Sequence, residues 1–131
     1  MSIQDKKLYL LFSHRLTEEQ EKDAYKQFGI GSIVYLRKEL LDIWTSIPAE
    51  AAVLEPVLEP IVKYFEVLLE GDYVLVQGDF GATYILVNWI RSRGAIPVYA
   101  TTKREVIEKQ EGNKSIKTSV FQHVRYRIYG E

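Results

Sequence analysis

GDYVLVQGDFGATY, residues 71–84, is the stretch whose reading decides the fold. Tyr73–Val76 is an uninterrupted apolar run, the pattern of a strand buried on both faces. It passes directly into Gln77-Gly78-Asp79-Phe80-Gly81. From Ala82 to Arg93 the period becomes helical, with Leu86, Trp89 and Ile90 facing inward and Gly94 as the stop. Ile96–Ala100 then returns to a strand. A buried strand, a glycine-punctuated turn, a helix and a second strand make one βαβ unit of a parallel sheet.

The same alternation extends upstream. Leu58, Ile61, Val62, Phe65, Leu68 and Leu69 recur at helical spacing up to Gly71. Pro56 and Pro60 place the firm start of that helix near residue 57, because proline suits only a first turn. Glu39–Trp44 reads as a short helix closed before Pro48, and Ile33–Leu36 as a short strand. Thr17 with Gln20 forms a capping box that opens a helix running to Phe28 and Gly29. Leu8–Phe12 is the first buried strand.

Downstream, Thr101-Thr102-Lys103-Arg104 is expected as a polar strand end. Glu105–Gln110 and Ile116–Tyr129 flank the turn signal Gly112-Asn113, which predicts a β-hairpin over about 103–129. Strict alternation in its second arm places Val120, Gln122, Val124, Tyr126 and Ile128 on one face. Phe121, His123, Arg125, Arg127 and Tyr129 fall on the other. The expected architecture is a single α/β domain over residues 1–131. It is a small Rossmann-like parallel sheet flanked by helices, with a C-terminal β-hairpin.

Composition narrows the function. The 131 residues are 47% hydrophobic and 27% charged, ordinary for one globular domain. With no Cys, disulfides and thiolate metal sites are excluded, and with two His a three-His zinc site is excluded as well. No apolar run approaches a membrane span, and Met1–Lys7 lacks the apolar core of a signal peptide, so a cytoplasmic protein without membrane contact is expected. Net charge is −1, yet residues 1–90 carry −6 and residues 91–131 carry +5. Such a split suits a localised anion site rather than general polyanion binding, so no double-stranded nucleic acid is expected.

Ligands of open α/β sheets bind outside the carboxyl ends of the strands. Three such ends carry polar groups: Ser13-His14, Gln77 to Thr83, and Thr101 to Arg104. They converge if the first strand neighbours the third and the third neighbours the fourth. Gly78 and Gly81 let backbone approach a ligand, and the helix start favours phosphate. Asp79 repels phosphate and serves equally as an N-cap. Thr101, Thr102, Lys103 and Arg104 offer hydroxyls and cations for a phosphodiester, or form a solvated turn. His14 is a candidate acid/base or a polar loop residue, and His123 is read as structural. One Asp in the loop supplies too few ligands for a two-metal site, so no metal or other cofactor is expected.

LLFSHRLTEEQ (10–20), GDYVLVQGDFGATY (71–84), PVYATTKRE (97–105) and TSVFQHVRYRIYG (118–130) resemble the small standalone CRISPR-associated proteins of the Csx type. These are grouped with the CARF (CRISPR-associated Rossmann fold) superfamily as ring nucleases. The resemblance spans nearly the whole chain, with QGDFGATY and YATTKR as its most specific parts. It implies a CARF-like homodimer that binds cyclic oligoadenylate, most commonly cyclic tetra-adenylate, and cleaves it to end type III CRISPR signalling. The implied reaction is metal-independent attack of a ribose 2′-OH on phosphorus, giving linear products with 2′,3′-cyclic phosphate.

On that expectation Lys103 and Arg104 clamp phosphate, and His14 is the acid/base. Ser13, Thr101 and Thr102 donate hydrogen bonds. Gln77, Gly78, Phe80, Gly81 and Thr83 line the ring, and Asp79 orients a cation or caps the helix. A non-catalytic regulator that binds the same ring, and a protein-interaction module using the basic hairpin, are the alternatives from other classes.

Overall fold

A computed structural model describes residues 5–131. The elements are β1 (Lys7–Leu11), α1 (Glu18–Phe28), β2 (Ser32–Tyr35), α2 (Lys38–Thr45) and α3 (Glu55–Tyr64), extended by a 3₁₀ turn (Phe65–Val67). They continue with β3 (Tyr73–Val76), α4 (Phe80–Ser92), β4 (Ile96–Glu111) and β5 (Lys114–Ile128). The sheet order is β2-β1-β3-β4-β5. The first four strands are parallel and β5 is antiparallel to β4, so the sheet is mixed.

The neighbour relations the site requires are therefore present: β1 lies beside β3, and β3 beside β4. Two cores sit on opposite faces of the sheet. Leu8, Leu10, Leu75, Val98 and Tyr126 pack with Ala24 of α1 and with Leu16 and Ile30. Tyr9, Leu11, Val74 and Val76 pack with Leu40, Trp44, Leu58, Ile61, Phe65, Leu86 and Ile90 from α2 to α4. Each fully buried Leu, Val or Phe contributes about 1.5–3 kcal/mol. The chain leaving β1 thus turns to one face and the chain leaving β3 to the other, which opens a crevice between their carboxyl ends.

Helix α1 has the predicted ends. Thr17 Oγ1 accepts from Gln20 N at 3.1 Å, Gln20 Oε1 accepts from Thr17 N at 2.9 Å, and Gly29 closes the helix at φ 64°. Helix α3 departs from expectation: it starts at Glu55, so Pro56 occupies the first turn while Pro60 lies inside the helix. Pro60 has no N–H to give, and it lies exposed on the solvent side of the helix. Leu68 and Leu69 lie beyond the helix, which tightens into the 3₁₀ turn before them.

The larger correction concerns Thr101–Arg104. They do not form a turn; they lie inside β4, which runs unbroken from Ile96 to Glu111. Their polarity reflects exposure of the strand, since β3 pairs with β4 only over Ile96–Val98. Beyond that point β4 and β5 continue as a two-stranded arm to the turn at Gly112-Asn113. Glu111 lies thirteen positions beyond Val98, a reach of about 40 Å.

The alternation expected along β5 is also interrupted. Thr101 pairs with Arg125 but Thr102 pairs with His123, leaving Val124 as the extra residue of a β-bulge. The bulge flips the face, so His123 and Tyr126 lie on the same side, ring centroids 4.9 Å apart, both against α1. No helix among the described residues is long and apolar enough to cross a membrane.

Candidate functional site

The crevice at the strand ends is built from two adjoining hollows. One, of about 310 Å³, is lined by Ser13, Trp44, Thr45, Ile47, Gln77, Gly78 and Asp79. The other, of about 400 Å³, is lined by Gln77, Gly78, Phe80, Thr83, Tyr99 and Tyr129. Gln77 and Gly78 form the wall between them.

Gln77 extends the parallel pairing one step past β3, its N–H donating to Leu11 O at 3.1 Å. Its side-chain Oε1 accepts from Ala100 N at 2.8 Å, so one residue spans from β1 to β4. Trp44 Nε1 donates to Gln77 O at 2.9 Å and fixes the turn from the α2 side. Asp79 is the N-cap of α4, its Oδ2 accepting from Ala82 N at 3.0 Å. That bond stabilises the helix start by about 1 kcal/mol. The N–H groups of Phe80 and Gly81, first in the helix, have no intrahelical partner.

The second hollow is aromatic. The Tyr99 and Tyr129 rings lie 4.8 Å apart, and Tyr129 donates its hydroxyl to Val76 O. Burial pushes the Tyr129 phenol above its ordinary range, with Tyr99 adding to the shift. Phe80 is 95% exposed, an unusual state for a phenylalanine at the mouth of a crevice. Thr83 Oγ1 is buried without a hydrogen-bond partner among the described residues. Arg127 supplies a cation beside this hollow, its guanidinium 5.2 Å from the centre of the Tyr99 ring.

Of the residues expected from sequence, Ser13, Gln77, Gly78, Asp79, Phe80 and Thr83 meet here. Gly81 sits in the first turn of α4 beside them. The others do not join them. His14 is exposed and packs edge-on against Phe12, outside both linings. Thr101 turns its hydroxyl onto the Arg125 backbone, donating to O at 3.0 Å. Lys103 and Arg104 lie out on the arm, where the Arg104 guanidinium donates to Ser119 Oγ.

Thr102 lines a different and larger cleft of about 680 Å³, with Glu18, Glu19, Gln20, Phe121 and His123. Carboxylates at its rim disfavour phosphate there. His123 Nε2 lies 2.7 Å from Asp23 Oδ2, and its Nδ1 is buried without a partner among the described residues.

Sequence reasoning missed Trp44, Thr45, Tyr99, Tyr129 and Arg127 as lining or flanking groups. Arg127 and Tyr129 did stand on one face of the alternation, next to the polar strand ends, and that was the available signal. Trp44 carried none, because only the approach of α2 to the β3 turn brings it there.

The fold and crevice define an α/β protein whose mixed five-stranded sheet carries helices on both faces and a candidate ligand site at the carboxyl ends of β1 and β3. The chain belongs to the family described as the uncharacterized protein MJ1673 family, whose model matches residues 6–127. It is 42% identical over 124 residues to the uncharacterized protein MJ1673 of Methanocaldococcus jannaschii, covering 94% of this chain and 96% of that protein. No solved structure matches the chain.

Proposed function

We propose that this is a small CARF-like, Rossmann-like cytoplasmic protein, acting as a homodimer. It binds cyclic oligoadenylate, cyclic tetra-adenylate foremost, in the strand-end crevice. It opens the ring without metal and so switches off type III CRISPR signalling. The single observation that supports this most is the joining of aromatic surface to phosphate-type donors in one crevice. Phe80 and Tyr99 offer faces to an adenine, while the helix-start amides and Thr83 Oγ1 offer donors to phosphate.

In this reading the ribose 2′-OH attacks the adjacent phosphorus and the 5′-oxygen leaves. The 2′-OH proton is lost and the leaving oxygen gains one, so the products are a 2′,3′-cyclic phosphate and a free 5′-OH. Holding the 2′-OH in line supplies several kcal/mol, and fixed donors toward the phosphorane add more. Arg127, beside the Tyr99 ring, is the cation assigned to that charge. Lys103 and Arg104, remote from their own crevice, serve phosphate in the crevice of the second copy.

A non-catalytic regulator binding the same ring is the second reading. It is favoured by the lining itself, which holds no imidazole, ammonium or guanidinium, and whose Asp79 is already bonded to Ala82 N–H. Incubation with cyclic tetra-adenylate in EDTA, followed by chromatography and mass spectrometry, separates the cases. Linear products ending in 2′,3′-cyclic phosphate support cleavage. An intact ring held tightly supports the regulator. Absence of binding overturns both.

A further inference from the structure

The arm formed by the outer parts of β4 and β5 has no place in the reading above beyond carrying Lys103 and Arg104. From Thr102 to Gln122 all 21 consecutive residues are exposed, on both faces of the ribbon. They include apolar side chains that a free surface would not group together. The register puts Ile107 opposite Thr118, with Val120 and Ile116 diagonally to either side on the same face. These three are 52%, 40% and 43% exposed. The opposite face carries Val106 and Phe121 as a diagonal pair, 60% and 67% exposed. Diagonal neighbours of this kind are in reach of one another and form continuous apolar strips.

An isolated two-stranded ribbon is marginal in water. Among the described residues this one gains hydrogen-bonded support from the body at its base, where Gln27 pairs with both backbone groups of Tyr126 and His123 meets Asp23. Among the described residues neither edge of the ribbon has a neighbouring strand beyond the bulge, and no proline interrupts it. Long unprotected edges of this sort recruit another chain.

We infer that the arm is an assembly element that seats on a second copy of this chain, each copy's arm lying against the other's body. Three observations favour that occupant. The charge split is self-complementary in sign: the arm, residues 102–122, carries +2 and the rest of the chain −3, so the arm of one copy meets a body of opposite sign. Within that body α1 presents Glu18, Glu19 and Glu21 in its first turn, beside the base of the arm. The 21 exposed residues also match the roughly 20–30 that a stable interface takes from each side. A reciprocal exchange satisfies both strips in a closed two-fold pair. The apolar strips on both faces argue against a nucleic acid as the occupant, because phosphate contacts leave them in water.

The inference extends the ring-binding reading, whose homodimer it shares, but is tested without nucleotide: a dimer that the arm variants leave unchanged overturns it alone. Sedimentation equilibrium of the full chain from 1 to 100 µM measures it. The expected result is a dimer whose dissociation constant rises at least tenfold in the double variant Ile107→Asp, Phe121→Asp. Both positions are solvent-exposed in a single chain, so the far-ultraviolet circular dichroism of that variant should stay as in the wild type. A second variant, Lys114→Glu with Lys117→Glu, should weaken the dimer through charge, and added salt should weaken the wild type. A wild-type chain that stays monomeric across the range overturns the inference. So does a dimer that both variants leave unchanged, and so does a monomer that instead captures duplex DNA or RNA through the arm.

Discussion

The indole of Trp44 lies against Gly78 so closely that a Cβ on residue 78 would stand 2.6 Å from Nε1 and 2.7 Å from Cε2. The indole cannot retreat: it is 2% exposed, and its Nε1 is committed to Gln77 O. Gly78→Ala should therefore displace either the indole or the turn after β3, both of which wall the crevice. The expected cost is about 1–3 kcal/mol, the usual range for overpacking. Urea denaturation measures it, and a variant with the wild-type midpoint would show that the turn gives way freely.

Much of the fold was legible where its causes are local. The capping box of Thr17 and Gln20, the stop at Gly29 and the buried run Tyr73–Val76 depend on neighbours in sequence, and they stand as read. The strand through Thr101–Arg104 was illegible because alternation reports burial, and both faces of the arm are exposed. The bulge at Val124 was hidden for a different reason. Its register is fixed from outside the hairpin, by Gln27 gripping the Tyr126 backbone and by Asp23 meeting His123. The site followed the same division. Gln77 to Thr83 is one continuous turn and could be read, whereas Tyr99, Tyr129 and Arg127 come together only through β4–β5 pairing.

Asp72 should prove the most costly polar deletion at the amino end of the sheet. It is 2% exposed, and its two oxygens accept from Lys7 N at 3.1 Å and Leu69 N at 2.9 Å. These bonds tie the start of β1 to the loop that leads into β3. Asp72→Ala leaves two backbone donors unpaired, at about 1–3 kcal/mol each if water does not enter. The expected result is a fall in the urea midpoint with ligand binding unchanged at saturation, since the crevice lies at the other end of the strands. A midpoint within error of the wild type would mean that solvent replaces both bonds.

Tyr126 predicts a loss of stability in alkali. Its ring is fully buried and its hydroxyl donates to Gln20 O at 2.8 Å. Burial pushes the phenol far above its ordinary range, with the charges of Asp23 and Glu21 acting in the same direction. The folded chain therefore holds this proton more tightly than the unfolded chain does. Its contribution is complete below about pH 10 and declines as the pH rises further. Tyr126→Phe should cost about 0.5–1.5 kcal/mol at neutral pH and flatten the decline above about pH 10. The flattening is partial, because burial also raises Tyr9, Tyr64 and Tyr129. Urea midpoints of both proteins across that range decide the matter, and parallel curves would remove Tyr126 from the account.

Phe80 separates binding from folding more cleanly than any other residue of the crevice. At 95% exposure it contributes nothing to either core, so Phe80→Ala should leave the urea midpoint within about 0.5 kcal/mol of the wild type. If the ring stacks on an adenine, the same change removes about 1–3 kcal/mol of stacking. That corresponds to a dissociation constant for cyclic tetra-adenylate raised roughly five- to 150-fold. Arg127→Ala should act on the same ligand through phosphate, with a loss that shrinks as salt is added. His14→Ala provides the contrast, because its side chain stands outside the lining, whereas Lys103→Ala should lower affinity only through the crevice of the second copy. Isothermal titration of the four variants ranks these residues. Unchanged affinity in Phe80→Ala and Arg127→Ala, together with a loss in His14→Ala, would move the ligand out of the aromatic hollow and toward the β1 end of the crevice.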